Sequence, residues 1–313
     1  MPTPDITGGS DCEESQKSKA VEESLQKLVH KVFASTGPSG QKVKNFLNGT
    51  WLGHPLHVIL TDVPIGAWTT ALVLDALQLI SGRDDFATAA DTSVTIGIAG
   101  ALCAAVTGVT DWQDADAPAR RLGMIHGILN LSGTALFAAS LISRRRKSRS
   151  LGRILGVVGY GVMTTAARLG GKMIYEHRVG VDRTAGQTFP ADFVSVLAES
   201  ELAEAEPKRA EHDGVPILLV RRGTRIFALA ETCSHFSGPL SEGNLVGDDS
   251  IQCPWHGSRF ALEDGRVLDG PAVHPQPCLE TRVCDGRIEV RKPLCKATLP
   301  APTAEAAELS KST

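Results

Sequence analysis

Between Leu56 and Ile174 the chain strings together apolar segments long enough to cross a bilayer, and this restricts the fold more than anything else in its 313 residues. The segments run over Leu56–Ile80, Thr92–Val109, Leu122–Ile142 and Leu151–Ile174. Each is near the ~20 residues that a helix needs to span a hydrocarbon core. The fourth carries Arg153, Arg168 and Lys172, but Ile154–Ala167 between them is free of charge, so the basic groups near the ends can snorkel. Small residues fill the second segment (Gly97, Gly100, Ala101, Ala104, Ala105) and the fourth (Gly156, Gly159, Gly161), as close helix packing in lipid favours. The expected architecture for residues 46–178 is an α-helical transmembrane bundle of about four spans. An apolar soluble helical domain is the alternative, and three such runs in succession speak against it.

The flanks read differently. Residues 1–45 form a polar tail with no apolar segment that would serve as a cleavable signal peptide. Within it Val21, Leu25, Leu28, Val29, Val32 and Phe33 fall at helical spacing, which predicts an amphipathic helix lying on the bilayer surface or on the membrane domain. Downstream, residues 191–292 alternate in short runs such as Val215–Val220, Arg225–Ala230, Leu279–Val283 and Arg287–Val290. Asp-Gly pairs at 213–214, 264–265 and 285–286 punctuate them. These are hairpin signals, and they predict a second domain that is all-β; residues 293–313 are a C-terminal tail. A net charge of −3 gives no reason to expect nucleic acid. Seven cysteines at irregular spacing do not make a disulfide framework. Cys12, Cys103, Cys278, Cys284 and Cys295 read as free thiols.

The other two cysteines sit in loops that carry chemistry. Cys233-Ser-His235 and Cys253-Pro-Trp-His256 are separated by 17 residues, Phe236 to Gln252. Two thiolates and two imidazoles suit either a two-iron cluster, with each loop giving one ligand to each iron, or a zinc ion. Zinc pairs more often read Cys-x₂–₄-Cys and His-x₃–₅-His. This spacing, with Gly257 after the last histidine and Pro239-Leu240 after the first loop, resembles the Rieske [2Fe–2S] family. Phe260 and the Gly270-Pro-Ala272 segment, similar to the one that covers the cluster there, extend the resemblance over residues 191–292. It implies Cys233, His235, Cys253 and His256 as ligands. High-potential members of the family have a disulfide whose positions correspond to Gly238 and Trp255 here. They also have a serine and a tyrosine hydroxyl donating to cluster sulfurs. Ser258 keeps the first donor and Phe260 replaces the second, so the resemblance is to the ferredoxin-like subtype, with a low to intermediate potential. No mononuclear-iron domain follows, which argues against an oxygenase catalytic subunit.

The membrane half carries ionisable groups too. With an even number of crossings, His54, His57, Asp62, Asp111, Arg120, Arg121 and His126 gather at the end that faces the cluster domain. Such residues in a membrane mark a site hypothesis. His57 and His126 are candidate ligands for haem b or another metal, with Asp62 and Asp111 as acceptors that fix the rings. A quinone site or a purely structural network would use the same residues. The segment Leu52–Leu74, with Thr110-Asp-Trp112 and His126-Gly127, resembles an uncharacterised bacterial membrane-domain family with a His-Pro-Leu-His motif and about four helices.

Together these readings predict a multi-pass protein of the bacterial cytoplasmic membrane that exchanges one electron with a redox partner protein or quinone. A redox or iron sensor and a quinone-reducing oxidoreductase subunit are the alternatives. The basic run Arg144–Lys147 with Arg149 would lie in the cytoplasm by the positive-inside rule. That puts the cluster domain outside, although Lys42, Lys44, Arg120, Arg121, Lys172, Arg178 and Arg183 weigh on the other side.

Overall fold

A computed structural model describes residues 8–293, with side chains from residue 19 onward. The side chain of Cys12, the whole of Cys295 and nearly all of the expected C-terminal tail lie outside the described residues. Six helices come first: α1 (Gly8–Ala34), α2 (Gly37–Asn48), α3 (Leu56–Ser81), α4 (Asp84–Trp112), α5 (Ala117–Arg145) and α6 (Arg149–Tyr175). Two compact units result, one of residues up to Val43 with Leu56–Val179, the other of Lys44–Pro55 with everything from Gly180.

In the helical unit, α3, α4 and α5 are long and apolar enough to cross a membrane. Their ends follow local chemistry. Pro55 precedes α3, Gly82 turns the chain at φ 72°, Asp84 and Asp85 occupy the first turn of α4, and Pro118 opens α5. Acidic groups at a helix start and proline in its first turn both suit the unpaired N–H groups there. α3 pairs with α4 and α5 with α6 as antiparallel hairpins.

The two hairpins repeat one pattern of contacts. An interval of 69 residues separates Asp75 from Arg144, which form an ion pair. It also separates Trp68 from Phe137, whose rings stack at 4.0 Å, and His57 from His126, whose rings lie 6.5 Å apart. On the partner helices, His57 bonds the Ala104 carbonyl and His126 the Ala166 carbonyl, both at 2.8 Å. Ala104 and Ala166 stand 62 residues apart, the interval that also separates Ala87 from Arg149, which bonds its carbonyl. Corresponding residues of α3 and α5 thus meet along the middle of the bundle, and Trp68, Ala71, Val94, Phe137 and Met163 form its core.

The expected amphipathic helix packs on the bundle. α1 extends well beyond Val21–Phe33, and its polar side faces the bundle. Glu22 and Gln26 are buried; Gln26 donates to the Trp112 and Ala115 carbonyls, and Arg120 donates to Glu22 and Gln26. Val21, Leu25, Leu28 and Val32 are exposed. The turn after α4 leaves carbonyls and charges that need partners more than they need apolar cover, so the polar stripe turns inward.

One difference concerns charge. The end of the bundle where α3 turns into α4 and α5 into α6 holds a network that the gathering of ionisable groups expected at the other end did not suggest. Arg144 is buried and bonds both Asp75 and Asp91. Arg149 bonds Asp91 at 2.8 Å, and Arg153 lies 3.6 Å from Asp75. A buried guanidinium needs such multiple acceptors to offset its desolvation.

The other unit contains ten strands: β1 (Val194–Ala198), β2 (Lys208–His212), β3 (Val215–Arg222), β4 (Arg225–Ala230), β5 (Asn244–Val246), β6 (Ser250–Gln252), β7 (Arg259–Ala261), β8 (Val267–Asp269), β9 (Cys278–Cys284) and β10 (Arg287–Arg291). They form a six-stranded antiparallel sheet, β1-β10-β9-β4-β3-β2, and a four-stranded sheet, β5-β6-β7-β8. Asp213-Gly214 and Asp285-Gly286 form the tight turns of two hairpins, with positive φ at all four residues as that turn type demands. Leu218, Val220, Leu229, Ile251 and Phe260 pack into one core that includes Cys233 and Cys253.

Candidate metal centre

The two cysteine loops have matching backbones. In the loop after β4, Cys233 N–H bonds the Gly238 carbonyl and Ser237 N–H returns to the Cys233 carbonyl. In the loop between β6 and β7, Cys253 N–H bonds the Ser258 carbonyl and Gly257 N–H returns to Cys253. The fifth residue of each loop, Ser237 or Gly257, adopts positive φ (66° and 77°), and this lets the chain turn back on itself. Each loop therefore holds its cysteine inward and its histidine towards the facing loop.

Side chains complete the pairing. The Cys233 and Cys253 thiols are hydrogen-bonded to each other, and this bond brings Cys253 down to about 7 while holding Cys233 well above the ordinary thiol range. The His235 and His256 rings lie 5.1 Å apart and nearly perpendicular. Burial, with help from His256, Lys44 and Arg183, pushes His235 well below the ordinary imidazole range. The ring is thus neutral, as a metal ligand must be. Its Nδ1 is buried and has no hydrogen-bond partner, an arrangement that is costly unless that nitrogen binds something else. Among the described residues no three His, Cys, Asp or Glu side chains converge as a single ion would need. The loops instead present one thiol pair and one imidazole pair, which fits a cluster of two irons.

Three further segments close around the loops. Gln276 is buried; it accepts from Ser234 N–H at 2.8 Å and donates to the Ala230 and Thr232 carbonyls. Ser258 Oγ accepts from Ala272 N–H at 2.9 Å, tying the 270–274 segment across the second loop and leaving its own hydrogen free to donate. Phe260 is fully buried beside both cysteines. Gly238 has no room for a side chain: a Cβ there would stand 2.8 Å from Cys253 Sγ and 3.1 Å from the Trp255 ring. Gly238 and Trp255, the two positions compared with a disulfide above, are thus neighbours.

The third element has no motif that announces it. Lys44–Pro55 belongs to this unit. Asn45 accepts from Gly270 N–H at 2.9 Å and donates to Asp269 at 3.0 Å, while Thr50 packs on Gly270. Lys44 is buried nearby. Arg183 donates its N–H to the Ser234 carbonyl and lays its guanidinium over Phe236. Neither Asn45 nor Arg183 stands in a motif, so only the fold reveals them.

In the helical unit the structure brings His57 and His126 together. Each ring bonds a backbone carbonyl, His57 that of Ala104 and His126 that of Ala166, and Asp62 is exposed.

Comparison with known proteins agrees with this geometry. Residues 192–281 match the Rieske [2Fe-2S] domain, and residues 53–183 match the family described as predicted membrane protein (DUF2231). Ferredoxin CarAc of Metapseudomonas resinovorans is 32% identical over 99 residues, 31% of this chain and 92% of that one. The chain belongs to the Rieske [2Fe–2S] family. Its Rieske part is also 33% identical over 100 residues to the anthranilate 1,2-dioxygenase ferredoxin subunit of Burkholderia cepacia, covering 92% of that protein. The ferredoxin of carbazole 1,9a-dioxygenase from Nocardioides aromaticivorans IC177 aligns over its full length with 33% of the chain, at 27% identity and a TM-score of 0.31. This Rieske protein is of the ferredoxin-like subtype, joined to a membrane domain. It carries a [2Fe–2S] cluster and transfers electrons at a membrane.

Proposed function

We propose that Cys233, His235, Cys253 and His256 ligate the cluster and that the electron passes to or from a redox partner protein at the membrane surface. The observation that carries this reading is the buried, unpartnered Nδ1 of His235 within a paired thiol and imidazole set. When bound, the cluster supplies a one-electron couple. The chain's own residues do the rest. The paired loops hold the four donors, Gln276 fixes the first loop to β4, and Ser258 with the 270–274 segment keeps water from the thiols. Ser258 and Phe260 set the hydrogen bonding to the cluster sulfurs. Trp255 is exposed beside His256 and offers an aromatic contact for a partner. Among the relatives named above are a ferredoxin and the ferredoxin subunit of a dioxygenase, which supports a protein partner.

A quinone partner has one observation in its favour. The end of α5 and α6 forms an open groove of about 290 Å³ lined by Leu122, Ile125, Arg121, Lys172 and His177. For the anchor we propose four spans, because α6 is 27 residues long and packs along α5, and its Arg149 and Arg153 turn to Asp75 and Asp91 rather than to lipid. For sidedness, the same ion pairs occupy Arg144 and Arg149, which leaves Arg145, Arg146 and Lys147 as the exposed basic residues of that loop. They support a cytoplasmic loop and a cluster domain outside.

The test uses purified full-length protein. The expected result is two irons per chain and a paramagnetic signal on dithionite reduction that His235→Ala and Cys253→Ser abolish. Stoichiometric zinc without iron overturns it. Titration of the reduced protein with a soluble quinone, against a Rieske-accepting protein, separates the two partner classes. Labelling of Cys284, which is exposed, by an impermeant reagent in intact cells reads the sidedness, with Cys284→Ser as control.

A further inference from the structure

The two hairpins bring corresponding residues face to face at three levels, and two of the encounters explain themselves. Trp68 and Phe137 stack at 4.0 Å and 9°, filling the core. Asp75 and Arg144 neutralise each other. At the third level two identical imidazoles meet, His57 and His126, at 6.5 Å between ring centres and nearly at right angles. The edge-on contact is itself a favourable aromatic geometry, but it brings no charge complementarity and gives the ring nitrogens no role.

Hydrogen bonding fixes how each ring is used. A carbonyl oxygen only accepts, so the 2.8 Å bonds to Ala104 and Ala166 require that both Nδ1 atoms carry the proton. In the neutral ring each Nε2 then holds a lone pair. An N–H donated to a backbone carbonyl while the other nitrogen stays basic is how metal-bound histidines are usually held. Space for each ring is made by a glycine on the partner helix. A Cβ at Gly108 would come within 2.8 Å of His57 Cε1, and one at Gly170 within 3.1 Å of His126 Cε1. Gly108 and Gly170 occupy corresponding places in the two hairpins, so ring, acceptor and glycine are all repeated. Asn130 donates to His126 Nε2 at 3.0 Å; a rotation of its side chain releases that nitrogen.

We propose that His57 and His126 form a two-imidazole site in the bundle for a redox-active metal, taken either as haem iron or as a copper(I) ion. Imidazole suits both metals, and bundles build such sites from facing helices. No third His, Cys, Asp or Glu joins them among the described residues. Two protein ligands fall short of the four of a structural zinc site and the three of a catalytic one, and suit metals that two protein nitrogens satisfy: haem iron, which brings its own four nitrogens, and copper(I), which accepts two.

The experiment uses full-length protein purified in mild detergent, incubated with haemin in one arm and with copper(I) under anaerobic conditions in the other. A pyridine haemochrome assay and elemental analysis then count metal beyond the two cluster irons. One haem or one copper per chain is expected in wild type. Loss of at least tenfold in occupancy is expected in His57→Ala and in His126→Ala, with the reduced-cluster signal retained to show that the chain is folded. Asn130→Ala, which keeps both rings and removes the competing donor, is expected to load at least as fully as wild type. Absence of both metals from wild type and Asn130→Ala overturns the proposal, as does equal loading of the two histidine variants. The cluster signal is read separately, so failure here is distinct from failure of the cluster assignment.

Discussion

The Arg183 guanidinium lies 5.3 Å above the Phe236 ring, which in turn stands 4.5 Å from His235. A fixed positive charge is thereby held behind the imidazole pair, and buried Lys44 adds a second. Positive charge favours the more reduced, more negative cluster. Arg183→Gln and Lys44→Gln should each lower the midpoint potential by about 30–60 mV, the equivalent of ~0.7–1.4 kcal/mol. A redox titration followed by visible absorption checks it.

Phe260 carries the opposite lesson. It is fully buried beside both cysteines and has no hydroxyl. Phe260→Tyr introduces a donor next to the sulfurs, and the midpoint should rise, because a hydrogen bond to the cluster stabilises its reduced form. An unchanged potential with full cluster occupancy would show that the tyrosine hydroxyl does not reach.

Gln276 ties three backbone groups with one side chain. Gln276→Leu has a similar size and leaves those groups buried without partners, at a cost of ~2–4 kcal/mol. The loss of cluster absorbance on heating should come many degrees earlier. Gln276→Glu, which keeps the acceptor for Ser234 N–H but loses the donors, should fall between.

Thiol reactivity separates two neighbours on β9. Cys278 donates to the Glu263 carbonyl, and burial with nearby carboxylates raises it to about 11. Only the thiolate is nucleophilic, and a raised pKa means less thiolate at any given pH. At pH 8 a maleimide should label exposed Cys284 and spare Cys278, whose rate should climb only as the pH nears 11. Mass spectrometry of peptides from the folded protein reads both.

Much of the molecule is written in its sequence. Spans announce themselves because lipid tolerates few polar groups over 20 residues, and the paired loops do so because iron and sulfur chemistry restricts both residue type and spacing. What the sequence hid has physical reasons. The two hairpins match in position, yet of the three facing pairs only His57 and His126 are identical, so no repeat is visible in the letters. Which face of α1 meets the bundle is not written in its periodicity, because the partners that wait there, the Trp112 and Ala115 carbonyls and Arg120, lie far along the chain. Residues 44–55 attach through a few bonds from Asn45 and Thr50, which leave no periodic trace.

The pairing of Asp75 with Arg144 acts as an address label. Two hairpins of like build can each mate with their own kind, and a membrane full of such chains offers many wrong mates. If α3 met a second α3 at this level, two carboxylates would be buried together; if α5 met α5, two guanidiniums would be. Either encounter leaves unpaired charge in an apolar setting, where it is least tolerated. Only a first half against a second half is neutral, and the short link between α4 and α5 keeps the right mate always at hand.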